Sequence, residues 1–147
     1  MTLDDINLAI IRHLRSGRKS YREIAEDLDI SVNTVKARVA RLMREGVLDI
    51  VGAIDPDRLS RHQFAFVGVK LASMDLMKKG EEFSLLRGVV SVSVVTGRFD
   101  LILLVLLKEG FELIEFYSQE VSRIEGVQSV ETFVTYKNYN LKLPYVV

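Results

Sequence analysis

The hydrophobic period changes once along this chain of 147 residues, from that of helices to that of strands, and the change divides it into two kinds of structure. In the first third the apolar positions recur at helical spacing. Ile6, Ile10 and Leu14, with Ile11 beside them, form one face. Ile24, Ala25 and Leu28 form a second, and Val32, Val35, Val39 and Leu42 a third. Gly17 and Gly46 stop the first and third runs; Ser20 opens the second, with Glu23 completing a capping box, and Ser31 opens the third. Only a short turn separates the second helix from the third.

After a looser stretch, the residues from Gln63 onward read as strands separated by helical segments. Strands are expected near residues 64–71, 89–96, 101–107 and 127–136, and helices over 75–86, with Gly80 as an interruption, and 111–124. In the latter helix Phe111, Ile114, Val121 and Ile124 fall on one side. Gly97-Arg98-Phe99-Asp100 is a turn between two strands. The order βαββαβ is that of the ferredoxin-like fold. Between the halves, residues 47–54 read as a short strand or hairpin arm, and Asp55-Pro56-Asp57 as a turn. The expected fold is therefore α+β: a three-helix winged helix-turn-helix domain over residues 1–50, a hinge strand over 51–62 and a ferredoxin-like domain over 63–147. Residues 137–147 carry no assignable pattern.

Composition closes several routes. Twenty basic and twenty acidic residues cancel, so any attraction to an anionic partner must be local. The absence of cysteine excludes disulfide frameworks, thiol catalysis and cysteine-based zinc sites. The acidic start, Leu3-Asp4-Asp5, is unlike a secretory leader, and the longest apolar run, 101–107, is far shorter than the ~20 residues of a membrane helix. A cytoplasmic location without membrane contact is the default. No catalytic triad, paired metal ligands or phosphate loop is present in the sequence, so no catalytic residue, metal or cofactor is expected.

The third helix is where charge is local. Between Ser31 and Arg44 lie Lys36, Arg38, Arg41 and Arg44 and no acidic residue, whereas the second helix carries Glu23, Glu26 and Asp27. A helix-turn-helix lays its second helix in the major groove of duplex DNA, N-terminal residues nearest the bases. Ser31, Asn33, Thr34 and Ala37 stand there; Asn can pair with adenine, and Ala can meet a thymine methyl. Lys36, Arg38, Arg41 and Arg44 extend the basic face, Arg38, Arg41 and Arg44 toward phosphates, and Arg18 and Arg22, with Lys19, add backbone contacts from the preceding turn. Basic residues on an amphipathic helix are more often a solvated face, and it is the spacing of the two helices that favours DNA.

Residues 21–42, from Tyr21-Arg22-Glu23-Ile24-Ala25 to Arg38-Val39-Ala40-Arg41-Leu42, followed by Glu45-Gly46-Val47-Leu48, resemble the helix-turn-helix of the Lrp/AsnC (feast/famine) regulators. Leu3-Asp4-Asp5-Ile6, Gly17-Arg18, Val95-Thr96-Gly97-Arg98-Phe99-Asp100-Leu101 and Glu125-Gly126-Val127-Gln128-Ser129-Val130-Glu131-Thr132 resemble that family in the same order. The resemblance implies transcription regulation, a homodimer built through the C-terminal sheets and assembled further into tetramers or octamers, and an amino-acid effector bound between dimers. Two positions depart from the pattern: Asp29 replaces the usual turn glycine, and Ser60 stands where a glycine commonly follows the hinge.

An amino-acid effector needs an anion for its ammonium and donors for its carboxylate. Asp100 can supply the first and the backbone at Gly97, Arg98 and Phe99 the second, with Thr132 adding a hydroxyl. The plain alternative is a hairpin turn, for which Gly and Asp are ordinary choices. The strand Ile102-Leu103-Leu104-Val105-Leu106-Leu107 is apolar on both faces; helices can cover one, and a second subunit the other. Two other functions fit the layout. One is a siroheme decarboxylase-like enzyme, for which only His13 and His62 offer imidazoles. The other is an architectural DNA-binding protein without an effector.

Overall fold

Helices α1 (Asp5–Leu14), α2 (Tyr21–Asp27) and α3 (Val32–Arg44) form where the caps place them. In the computed structural model, which describes residues 3–147, Ser20 and Glu23 make a complete capping box, and the Ser31 side chain accepts from the Thr34 N–H. Asp4 caps α1 by accepting from the Asn7 N–H at 2.7 Å. Ile10, Ile24, Ala25, Val35 and Val39 form one core, with Leu14, Leu28, Val32 and Leu48 packed around it. Asp29 takes a left-handed backbone (φ 51°) in the turn between α2 and α3, a conformation that Asp adopts at lower cost than most residues.

By contacts the chain forms two units, one ending at Val51 and one beginning at Gly52. Among the described residues up to Val51 no strand is formed, so the expected wing is not a hairpin here. The strand expected over residues 47–54 shortens to β1 (Ala53–Ile54), because its partner is the end of the chain: it pairs antiparallel with β6 (Leu143–Pro144). Sequence pattern gives no sign of a pairing of two residues with two.

In the second unit β2 (His62–Leu71), α4 (Leu76–Ser84), β3 (Val89–Val94), β4 (Leu101–Lys108), a helical stretch and β5 (Val127–Val134) follow in the βαββαβ order. The antiparallel sheet runs β3-β4-β2-β5, the ferredoxin-like arrangement. One face carries Val67, Val69, Leu101, Leu103, Val105 and Leu107, packed with Phe83, Phe111 and Phe116. Each of these side chains contributes about 1.5–3 kcal/mol on burial.

Two helical expectations need correction. Gly80 does not interrupt α4, which runs through it; a methyl group there would stand 3.5 Å from Val94 of β3, so the small residue lies where helix meets sheet. The stretch expected as one α-helix is α5 (Leu113–Glu115), then a π-helical turn (Phe116–Glu120), then a 3-10 turn (Val121–Arg123). The widened turn suits inward residues spaced five apart, Phe111, Phe116 and Val121, and leaves Ile114 70% exposed rather than inward. Among the described residues no helix is long and apolar enough to cross a membrane.

The tail left unassigned by its pattern clasps the segment that opens the second unit. Lys142 pairs with Asp55 at 2.9 Å. Asp57 accepts from the Asn138 backbone at 2.9 Å and its side-chain amide at 2.7 Å, and pairs with Lys137 at 2.9 Å. Leu143 joins Phe64 and Leu106 in a small core. These donors, the Asn138 amides first, hold the Asp57 carboxyl at about 2, below its ordinary 3.8. A depressed carboxyl stabilises the folded state fully above its unfolded value and loses that contribution as pH falls through the folded one. Acidification from pH 5 toward about 2 should therefore release the tail, seen as faster amide exchange in 137–145, and Asp57→Asn should remove much of this pH dependence.

Candidate nucleic-acid interface and effector loop

α3 buries Val35, Val39 and Leu42 and turns the opposite side outward. Asn33, Ala37, Ala40, Arg41 and Arg44 follow one another along that side at helical spacing, with Lys36 and Met43 flanking them, and all seven are exposed. The two alanines leave room for close approach. Ala40 was not singled out from sequence, although its place three residues after Ala37 is the signal that finds it.

The cations expected to meet DNA are not equivalent. Among the described residues Arg18, Lys36 and Arg44 are in none of the ion pairs. Arg22 pairs with Glu26 at 3.2 Å and Arg41 with Glu45 at 2.7 Å, both one helical turn apart, exposed and exchangeable for a phosphate. Lys19 is paired with Asp27 beside His13. Arg38 differs from these: it is half-buried and bonded to Asp4 and Asn7 of the α1 end. Its guanidinium is the main cause that lowers the Asp4 carboxyl below the usual carboxylate range. Ser31 and Thr34 share a hydroxyl–hydroxyl bond of 2.8 Å at the start of α3.

In the second unit the 97–100 loop folds back over β2. The Asp100 carboxylate accepts from the Leu71 N–H and from Lys70 Nζ, each at 2.8 Å, and these two donors, Leu71 first, lower its pKa. Asp100 thus already has a cationic partner and pins the loop. Phe99 lies on Gly68: a Cβ on that glycine would stand 2.6 Å from the ring. Phe99 also meets Phe133 edge-on at 6.3 Å, while Arg98 pairs with Glu131 at 2.6 Å. Gly97 has φ 136°, a backbone closed to most side chains.

Thr132 is not brought to this loop. It pairs across the sheet with Val67, on the helix-covered face, and its hydroxyl bonds to Tyr117; Phe133 and Phe99 are on the other face. Period-two alternation separates neighbours on a strand, and the sequence pattern alone did not show which neighbour faced which layer.

The open face carries Phe66, 37% exposed, and Phe133, 48% exposed, with Ile102 and Leu104 half-buried between the strands. His13 is bonded to Lys19 in the first unit, and His62 to the Ser60 carbonyl and Tyr145 in the second.

Residues 3–49 match the family model for winged helix-turn-helix DNA-binding, and residues 64–142 match that of the Lrp/AsnC ligand binding domain. The chain belongs to the Lrp/AsnC family of DNA-binding transcriptional regulators. It is 34% identical over 134 residues to an uncharacterised HTH-type transcriptional regulator of Pyrococcus abyssi, covering 90% of this chain and 85% of that protein. Among solved structures, AsnC of E. coli matches with a TM-score of 0.74 at 22% identity, over 96% of this chain and 97% of that one. A Neisseria meningitidis regulator, NMB0573, solved as a complex with L-Met, matches with 0.73 at 20% identity, over 95% and 94%. At these identities the two structures establish the shared fold.

The contact between Phe99 and Gly68 yields a direct expectation. Gly68→Val should force the ring off the sheet and destabilise the second unit by about 1–3 kcal/mol, measured as a lower denaturation midpoint.

Proposed function

We propose that this Lrp/AsnC-family regulator reads a specific DNA sequence through the outward side of α3 and is modulated by an amino acid or related metabolite. The observation that carries the DNA reading is the exposed row of Asn33, Ala37, Ala40, Arg41 and Arg44 flanked by Lys36, with cations and small side chains and no carboxylate on the same helix. Asn33 and Ala37 are assigned to base edges, with Ser31 and Thr34 at the helix start. Lys36, Arg41 and Arg44, with Arg18 and Arg22, are assigned to phosphates.

The test is fluorescence anisotropy against a duplex selected from random sequence and against unselected duplex, over a range of salt. Lys36→Ala should weaken both and lower the salt slope by about one. Asn33→Ala should cost about 1–3 kcal/mol on the selected duplex alone. Equal affinity of the wild-type chain for both duplexes would favour the architectural reading.

For the effector, the supporting observations are the match to a ligand binding domain and the L-Met found with the Neisseria relative. The 97–100 loop is the assigned site, through the backbone N–H groups near Gly97 and Arg98. Asp100 would hold an ammonium only by sharing its carboxylate with Lys70, and Thr132 has no part in this arrangement. The open sheet face, with Phe66, Phe133, Ile102 and Leu104, is assigned to a second copy of the chain, and pairs of such dimers to tetramers or octamers. A two-fold dimer sets two α3 helices about 34–36 Å apart, or a multiple of it, along DNA. Mass measurement at micromolar concentration should give a dimer or larger. Calorimetry against the common amino acids should find one that binds and that Gly97→Val abolishes. The relatives are named as regulators, and no observation favours the enzyme reading; as a regulator of DNA the chain is assigned to the cytoplasm.

A further inference from the structure

Arg38 lies in the basic run of α3 yet differs from its neighbours in what it touches. Its Nη1 is 2.6 and 2.9 Å from the two carboxylate oxygens of Asp4 and 2.9 Å from Asn7 Oδ1. Its side chain is 29% exposed, against 61% for Arg41 and 83% for Arg22. On α3 it follows Val35 by three residues and precedes Val39, so it borders the core side rather than the outward row. Asn7 is buried at 7% exposure, and its amide oxygen is satisfied by this guanidinium. Asp4 is at once the N-cap of α1 and the partner of Arg38.

We propose that Arg38 is a positioning residue, which ties the start of α1 to the middle of α3 and thereby sets the attitude of the outward row, and that it makes no phosphate contact. The physical reason is competition. To reach a phosphate the guanidinium would have to leave Asp4 and strand the buried Asn7 oxygen without its donor, a loss that an exposed Lys36 or Arg44 does not incur. The ion pair bridges elements 34 residues apart, and so it bears on the angle between helices rather than on the stability of one. This inference rests on the DNA-binding function but not on which bases are read.

The discriminating variant is Asp4→Asn. Asparagine caps a helix about as well as aspartate, so α1 keeps its start while the charge that holds Arg38 is removed. The full-length chain is titrated into the selected duplex and into random duplex at several salt concentrations, with thermal unfolding to verify the fold. A positioning role predicts that Asp4→Asn loses affinity for the selected duplex by about fivefold or more. That loss should occur although a negative charge has been removed, and the preference for selected over random duplex should narrow. Arg38→Gln should do the same without lowering the salt slope, and the double variant should be no worse than either single one. A phosphate role predicts the opposite sign. Asp4→Asn would then free the guanidinium and raise affinity, and Arg38→Gln would lower the salt slope by about 0.9. Either result overturns the proposal. If Arg38→Gln does not fold, Asp4→Asn and Arg38→Lys carry the test: a Lys variant that retains the wild-type sequence preference less well, at an unchanged slope, supports positioning. No binding of the wild-type chain to any duplex would instead sink the DNA reading, and this role with it.

Discussion

Strand β4 is apolar on both faces, and most of the second unit follows from that. Leu101, Leu103, Val105 and Leu107 need cover on one side, and α4 and the irregular helical stretch supply it through Phe83, Phe111 and Phe116. Ile102 and Leu104 point the other way with Phe66 and Phe133; there Phe99 meets Phe133, and at one end Leu143, with Ile54, Leu141 and Val146, packs on Phe64 and Leu106. The same central pairing brings Val69 and Lys70 of β2 beside the end of β3–β4, which is why Asp100 can fasten the 97–100 loop through Lys70 and the Leu71 amide. A strand that must be buried on both faces thus sets where the helices lie, where the loop is anchored and which surface stays open.

The first unit solves a different problem, how to present charge from a chain with none to spare. Its net charge is local by arrangement: Lys19 is neutralised by Asp27 and Arg38 by Asp4, while Lys36 and Arg44 stay unpaired among the described residues. The polar group Asn7, buried between helices, is satisfied by the same guanidinium that Asp4 holds, so one small network both closes the helix packing and removes a cation from the surface. Counting basic residues along α3 overstates what DNA could meet. The exposed, loosely paired ones form the narrower and physically more meaningful set.

Much of this architecture was legible in the residues. The capping box at Ser20 and Glu23, the cap at Ser31 and the βαββαβ order all rest on local chemistry or on period, and local chemistry does not depend on distant parts of the chain. Of the outward row of α3, Asn33, Ala37, Arg41 and Arg44 were legible in the same way, and Ala40 was not. What the pattern did not carry were interactions between residues far apart in sequence. The clasp of Lys137, Asn138 and Lys142 on Asp57 and Asp55, the two-residue pairing of β1 with β6, and the engagement of Arg38 by Asp4 each join segments with no shared period. The π-helical turn was missed because its five-residue inward spacing fits neither helix nor strand templates.

The sequence by itself therefore determined the elements, their order, and which helix bears the cations, because those properties are written in caps, turns and hydrophobic periods. Only the tertiary structure decided which cations remain available, which face of β5 holds Thr132, and that Asp100 pins its own loop. Those outcomes depend on which side chain a folded neighbour reaches first, and one residue of register along a strand, or one turn around a helix, exchanges the answer.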